Sequence, residues 1–260
     1  MVELINLSAL PVFLLIFVRI AAFFVTLPLF SYATIPTPFK IGFSFFLALI
    51  MYATVESPAV PIDQTYLLLL MKEAVVGLLI GLLAYMILSA VQIAGGFIDF
   101  QMGFAIANVV DPQTGAQSPL IGQYFYILAL MFLLSVNGHY LLIDGIFYSY
   151  QLIPPETFIP LQNNGDEMAQ FIIQTFNQMF LIAFQMAIPI VGCLFLVDVA
   201  LGIIARTVPQ LNVFVVGLPL KIFVSFVAIL VFLSLYIVLV DNLFETMFAA
   251  IRDLMHLSRM

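Results

Sequence analysis

Arg19, Lys72, Glu73, Asp198 and Lys221 are charged side chains set inside stretches that are otherwise apolar. A charge at the centre of a membrane-inserted helix costs about 2.5–3.5 kcal/mol, against about 0.3–0.6 kcal/mol gained per Leu, Ile, Phe or Val. Such groups persist where a partner or water receives them, which leaves two kinds of chemistry. One is a proton or ion relay among them, which in a transporter or channel acting alone would comprise Asp99, Asp198 and Lys221. The other, which we favour, is a set of buried ion-pair ties between helices or subunits, and Arg206 is grouped with these. Adjacent Lys72 and Glu73 project about 100° apart on a helix and cannot face one another well, so at least one is expected to meet its counter-charge on another helix.

Further chemistry is sparse. The histidines are His139 and His256, too few for a metal cluster, and no Gly-rich phosphate-binding loop with its Lys occurs. A lone His139 without a neighbouring nucleophile is poor ground for catalysis, and a packing or hydrogen-bonding role is expected for it and for Asn137. Cys193 is the single cysteine, in the apolar run Pro189 to Phe195, which excludes an internal disulfide. No catalytic, cofactor-binding or metal-ligating residue is therefore expected. Gln170, Gln174, Asn177, Gln178 and Gln185 recur at helical spacing and draw an uncharged amide stripe along an otherwise apolar segment. That stripe should avoid lipid, and either hydrogen-bonds to neighbouring helices or lines a water-filled lumen.

The elements that position these groups follow from composition. Hydrophobic residues make up 64% of the 260 positions and charged residues 8%, a balance that demands lipid or protein as the solvent for most of the chain. The net charge of −7 lies mainly in acidic connecting segments, with no basic patch for nucleic acid. A span needs roughly 20 mostly apolar residues. Six hydrophobic segments emerge, near 10–30, 41–55, 67–91, 121–137, 169–205 and 211–240, predicting an all-α polytopic membrane protein of kinked hairpins. Pro189 and Pro219 fall inside the last two, where a lost hydrogen bond bends a helix. The start Met1-Val2-Glu3-Leu4 lacks the positive region of a cleavable signal, so the first segment is expected to remain. If all six segments cross, Arg252 and Arg259 on one side balance Lys40 and Arg206 on the other, which leaves orientation open. The connections 92–120 and 138–168 are too small for soluble catalytic domains, so one membrane-embedded domain over 1–260 is expected. Gly77 and Gly81, with Ala74 and Ala84, present a small-residue face for close helix packing.

The passage from Gly95 to Gly115 mixes apolar residues, helix breakers and lone acids. Irregular backbone is tolerated at membrane depth only inside protein or beside water. The passage therefore reads as a flexible apolar loop able to occupy a pore, or as an interfacial connector.

The same residues carry a resemblance. Asp99 to Gly115 resembles the QMG…DP motif of the FliR family of flagellar export proteins, related to the SctT family of virulence secretion systems. Asn137-Gly138-His139 resembles that family's NGH element, and Ala200 to Pro219 is similar to its ALG…R..PQ..VF..G.P signature. Arg19 falls where the family has an early Arg. Together these cover most of the chain in the family's order.

The resemblance implies one copy assembled with FliP-type and FliQ-type subunits in a hetero-oligomer of the bacterial inner membrane, at the flagellar basal body, beside FlhB-type and FlhA-type proteins. Unfolded flagellar proteins would be its substrates, and no cofactor is implied. Residues 1–165 would be FliP-like and 166–260 FliQ-like. Phe97, Phe100, Gln101, Met102, Gly103, Phe104, Ile106, Asn108, Asp111 and Pro112 would belong to a plug that lines the closed pore. Met102 would suit such a seal, since thioethers fill irregular gaps, though core packing would use it the same way. The alternatives are a secondary transporter or proton channel acting alone, against which no internal repeat is found, and a purely structural assembly factor.

Overall fold

The computed structural model describes residues 10–31, 35–55, 58, 60–104, 119–157, 161–208, 210 and 212–257. Among them the chain forms seven helices and no strand: α1 Leu10–Thr26, α2 Thr37–Thr54, α3 Gln64–Met102, α4 Leu120–Ser135, α5 Gly138–Leu152, α6 Leu161–Thr207 and α7 Val213–Leu257. Helices α2, α3, α6 and α7 are long and apolar enough to cross a membrane, and α4 with α5 makes a fifth if the two form one broken span. The protein is an all-α polytopic membrane protein, as its composition predicts.

Three features depart from the sequence expectation. The first is that α3 runs on through Gly95 and Gly96 to Met102 and does not turn irregular there. Ala90, Val91, Ala94, Ile98 and Met102 keep a buried stripe at helical spacing through this stretch, and packing overrides the weak propensity of glycine. The second is α5, which occupies half of what reads as a polar connector. Its buried face, Gly138, Leu142, Ile146, Ser149 and Tyr150, is amphipathic, so the polar residues of the other face hide it from a hydropathy scan. The third is α7, which continues past residue 240 because Leu243, Phe244, Met247, Ala250, Ile251, Leu254 and Met255 extend its buried stripe.

Packing divides the chain into two compact units. One comprises residues 1–87, 136–176 and 246–260; the other comprises 88–135 and 177–245. In the first unit, Leu15, Ile16, Ile20, Phe23 and Phe24 of α1 are buried against neighbouring helices, and Phe24 meets the Phe43 ring of α2 at 5.3 Å. The small face of α3 lies against α1: a Cβ on Gly77 would strike the Arg19 carbonyl, and one on Gly81 would strike Thr26 Oγ1. Asp63 caps the start of α3, accepting the Thr65 N–H at 3.0 Å and its hydroxyl at 2.5 Å. These bonds hold the Asp63 carboxyl below its ordinary range.

In the second unit the end of α3 packs on α4. A Cβ on Gly95 would run into the Gly122 backbone, so the two helices approach as closely as glycine allows. Phe132 of α4 stacks on Phe244 of α7 at 5.8 Å, and Tyr236 donates its hydroxyl to the Phe125 carbonyl at 2.6 Å.

Candidate functional site

The site is built where α3 ends. Gly103 adopts φ 91, the left-handed conformation that stops helices, its N–H donates to Phe100 O at 3.2 Å, and Phe104 N–H donates to Asp99 O at 3.0 Å. This pair of bonds is a Schellman cap, in which the positive φ at the residue past the helix end lets the chain turn back on the last carbonyls. Upstream, the Phe97 ring sits edge-on to Phe180 and Phe184 of α6 with centroids 6.0 Å apart. Phe100 is 73% exposed, whereas Met102 is fully buried and serves as core. The expected plug residues Ile106, Asn108, Asp111 and Pro112 lie outside the described residues.

Gln101 is tied on both its side chain and its backbone. Its amide nitrogen donates to Asp198 Oδ2 at 2.9 Å, and Lys221 Nζ reaches its carbonyl at 3.4 Å while pairing with Asp198 Oδ1 at 2.5 Å. The ion pair stays partly exposed, and it lines a cavity of about 390 Å³ with Met102, Gly103, Gly202 and Gly217. On the neighbouring surface, Phe97, Phe100, Gln101, Phe184 and Phe195 line an apolar cavity of about 340 Å³. The conformation of Gln101 thus depends on a charge pair contributed by α6 and α7.

Asp99 does not join that pair. Its carboxylate accepts the N–H of Ile121 at 3.0 Å and of Gly122 at 3.4 Å, at the start of α4, and is almost fully buried. A relay through Asp99, Asp198 and Lys221 would need these groups to share a hydrogen-bonded path. Their bonds instead lead to separate partners, backbone for Asp99 and each other for Asp198 and Lys221.

The other cluster of charge belongs to the first unit. Arg19 is fully buried and grips Glu73 with two bonds, Nε to Oε2 at 2.5 Å and Nη2 to Oε1 at 2.8 Å. Its Nη1 donates to Ser149 Oγ at 3.0 Å, its Nη2 also donates to Ile153 O at 2.8 Å, and the guanidinium lies 4.0 Å over the Tyr150 ring. Lys72 Nζ pairs with Glu73 Oε1 at 2.5 Å and donates to the carbonyls of Pro154, Pro155 and Thr157. Glu73 therefore finds its counter-charge on α1, as expected, but Lys72 also reaches it, against expectation. Directions at the Cβ atoms are 100° apart, yet a four-carbon stem is long enough to bend back. Ser149, Tyr150 and the carbonyls after α5 were invisible as partners in the sequence, because their roles depend on a helix read there as a connector.

Arg206 departs from the expected buried ties. It is exposed in the last turn of α6, where a cation complements the C-terminal end of the helix dipole. Gln170, Gln174, Asn177, Gln178 and Gln185 are all exposed as well. They share the side of α6 opposite its buried stripe of Thr175, Met179, Ala183, Met186 and Ile190, counting about 100° per residue. Packing inside the chain leaves this amide face outward. His139 packs on the Tyr140 ring at 4.2 Å, and its Nδ1 is buried with no hydrogen-bond partner among the described residues, so packing is the role the structure supports. Asn137 holds the left-handed φ of 59 just before α5, and the Cys193 thiol is free.

Comparison with known proteins places this arrangement. Residues 10–247 match the family described as bacterial export proteins, family 1. The chain is 60% identical over 249 residues, 95% of both chains, to the flagellar biosynthetic protein FliR of Bacillus subtilis. It is 27% identical to FliR of Escherichia coli over 91% of this chain and 89% of that one. The Yop proteins translocation protein T of Yersinia pestis is 33% identical over 67% of each chain.

Proposed function

Because the chain belongs to this family of bacterial export proteins, we propose that it is a non-enzymatic subunit of the flagellar type III export gate. In this reading it joins FliP-type and FliQ-type subunits in the bacterial inner membrane, at the basal body, beside FlhB-type and FlhA-type proteins, and passes unfolded flagellar proteins. The residues from Phe97 to Gly115 block the conduit at rest. The flagellar assignment draws on the near full-length likeness to a flagellar protein, against partial coverage by the virulence relative. The division into a FliP-like part to residue 165 and a FliQ-like part beyond it belongs to the same proposal.

The observation that carries it is the outward amide face of α6 within so apolar a chain. Lipid would leave those amides without hydrogen-bond partners, so the face needs water or other subunits. Uncharged amides suit a passage for extended polypeptide, which must neither adhere to apolar walls nor be held by charge.

Deleting residues 104–110 tests the reading in an assembled complex. The membrane should become leaky to small ions and solutes; unchanged permeability removes the plug. Reconstituting the purified chain alone in liposomes separates the gate from a lone transporter, because solute or proton flux without partners would favour the transporter.

A further inference from the structure

We propose that Asp99 is a clasp that holds the two ends of the 103–119 connection at a fixed separation. It acts as a positioning residue for the barrier.

The unpaired N–H groups that open every helix need an acceptor in apolar surroundings. At the start of α4, Pro119 offers only its carbonyl, which takes the Gln123 N–H at 2.8 Å, and its ring has no acceptor for the next donors. The donors of Ile121 and Gly122 are the ones an ordinary N-cap side chain serves. Asp99 serves them from another helix, at 3.0 and 3.4 Å, and its charge is favoured by the helix dipole.

The same residue also closes the other end. Its main-chain carbonyl accepts Phe104 N–H at 3.0 Å in the cap that ends α3. Asp99 therefore bonds through its backbone to the point where the chain leaves α3 and through its side chain to the point where it enters α4. The short side chain can reach because Gly95 and Gly122 allow backbone-to-backbone approach; a Cβ on either would strike the facing helix. The junction thus combines a double-glycine contact with a buried carboxylate spent on the start of α4 and a main-chain carbonyl spent on the end of α3.

Gly96 supplies the test. A Cβ built there lies 4.0 Å from Pro119 Cβ, inside the roughly 3.5–4.5 Å spacing of disulfides. In the assembled complex, with Cys193→Ser removing the native thiol, the pair Gly96→Cys and Pro119→Cys should oxidise readily while Asp99 is present. Adding Asp99→Ala should slow that oxidation about tenfold or more, with Asp99→Asn intermediate, since a charge-assisted bond is lost. Where Asp99→Ala does not accumulate, Asp99→Asn carries the same comparison. Equal rates with and without the carboxylate overturn the clasp.

The last step rests on the blocking role proposed above. Ion leak should rise with Asp99→Ala under reducing conditions and fall again once the disulfide closes. A loosened junction with no change in leak leaves the clasp standing and removes the blocking role, so the two ideas fail separately.

Discussion

Arg19, Glu73 and Lys72 in one unit and Asp198, Lys221 and Gln101 in the other are built alike, one carboxylate with two cations on it in the first and one cation and an amide in the second. They differ in closure. Both side chains of the Arg19–Glu73 pair are 0% exposed, and the donors around them end on Ser149, Ile153 and the carbonyls after α5. The Lys221–Asp198 pair is 21% and 39% exposed and lines a cavity. A saturated buried network specifies one packing arrangement, since every alternative strands a charge in a poor solvent. An open pair beside a cavity leaves room for other polar partners. The first reads as a fixed tie, and the second as a contact able to let go of Gln101.

Three carboxylates grade that contrast by burial. Glu73→Ala should have the largest effect, because it leaves Arg19 and Lys72 as unpaired cations in the interior, a loss of about 3–5 kcal/mol. The variant should fail to accumulate in membranes, and normal levels on quantitative blotting would refute the fixed tie. Asp198→Asn should cost less, because the pair is not enclosed and Lys221 keeps its bond to the Gln101 carbonyl. It should accumulate normally with a small shift in melting temperature, while export changes; a loss of protein as severe as that of Glu73→Ala would erase the distinction.

Asp63 is the exposed limit. Its folded-state carboxyl is held below the ordinary range by the Thr65 hydroxyl and N–H. A depressed folded value means the contribution is present above the unfolded value of about 3.9, and it is lost as pH falls through the folded value. Asp63→Asn should therefore slightly lower stability at neutral pH and converge with the parent below about pH 4, where the carboxyl has lost its advantage. Acid unfolding curves of the two proteins compare this directly, and a difference that persists or grows below about pH 4 would contradict the assignment.

Much of this site was legible in residues alone, though unevenly. Arg19 and Glu73 stood out because a charge in an apolar run has few ways to survive, and the structure pairs them. The Gly77 and Gly81 face was read from spacing and packs on α1. Asp99 was legible as a lone acid, yet its function as a cap was not, since nothing in local sequence links it to Ile121 and Gly122. Periodicity reports only what one helix does with its own faces. A capping bond to another helix adds no period.

Composition and the length of the apolar runs determined by themselves that this is a helical membrane protein, because a backbone in lipid must satisfy its hydrogen bonds within each span. They determined too that buried charges must be paired. Only the tertiary structure decided which partners they take, that Lys72 bends back to Glu73 while Arg206 faces outward, and that α3 continues through two glycines. Those choices turn on distances of a few ångströms between residues far apart in the chain, where close packing makes one arrangement far better than its neighbours.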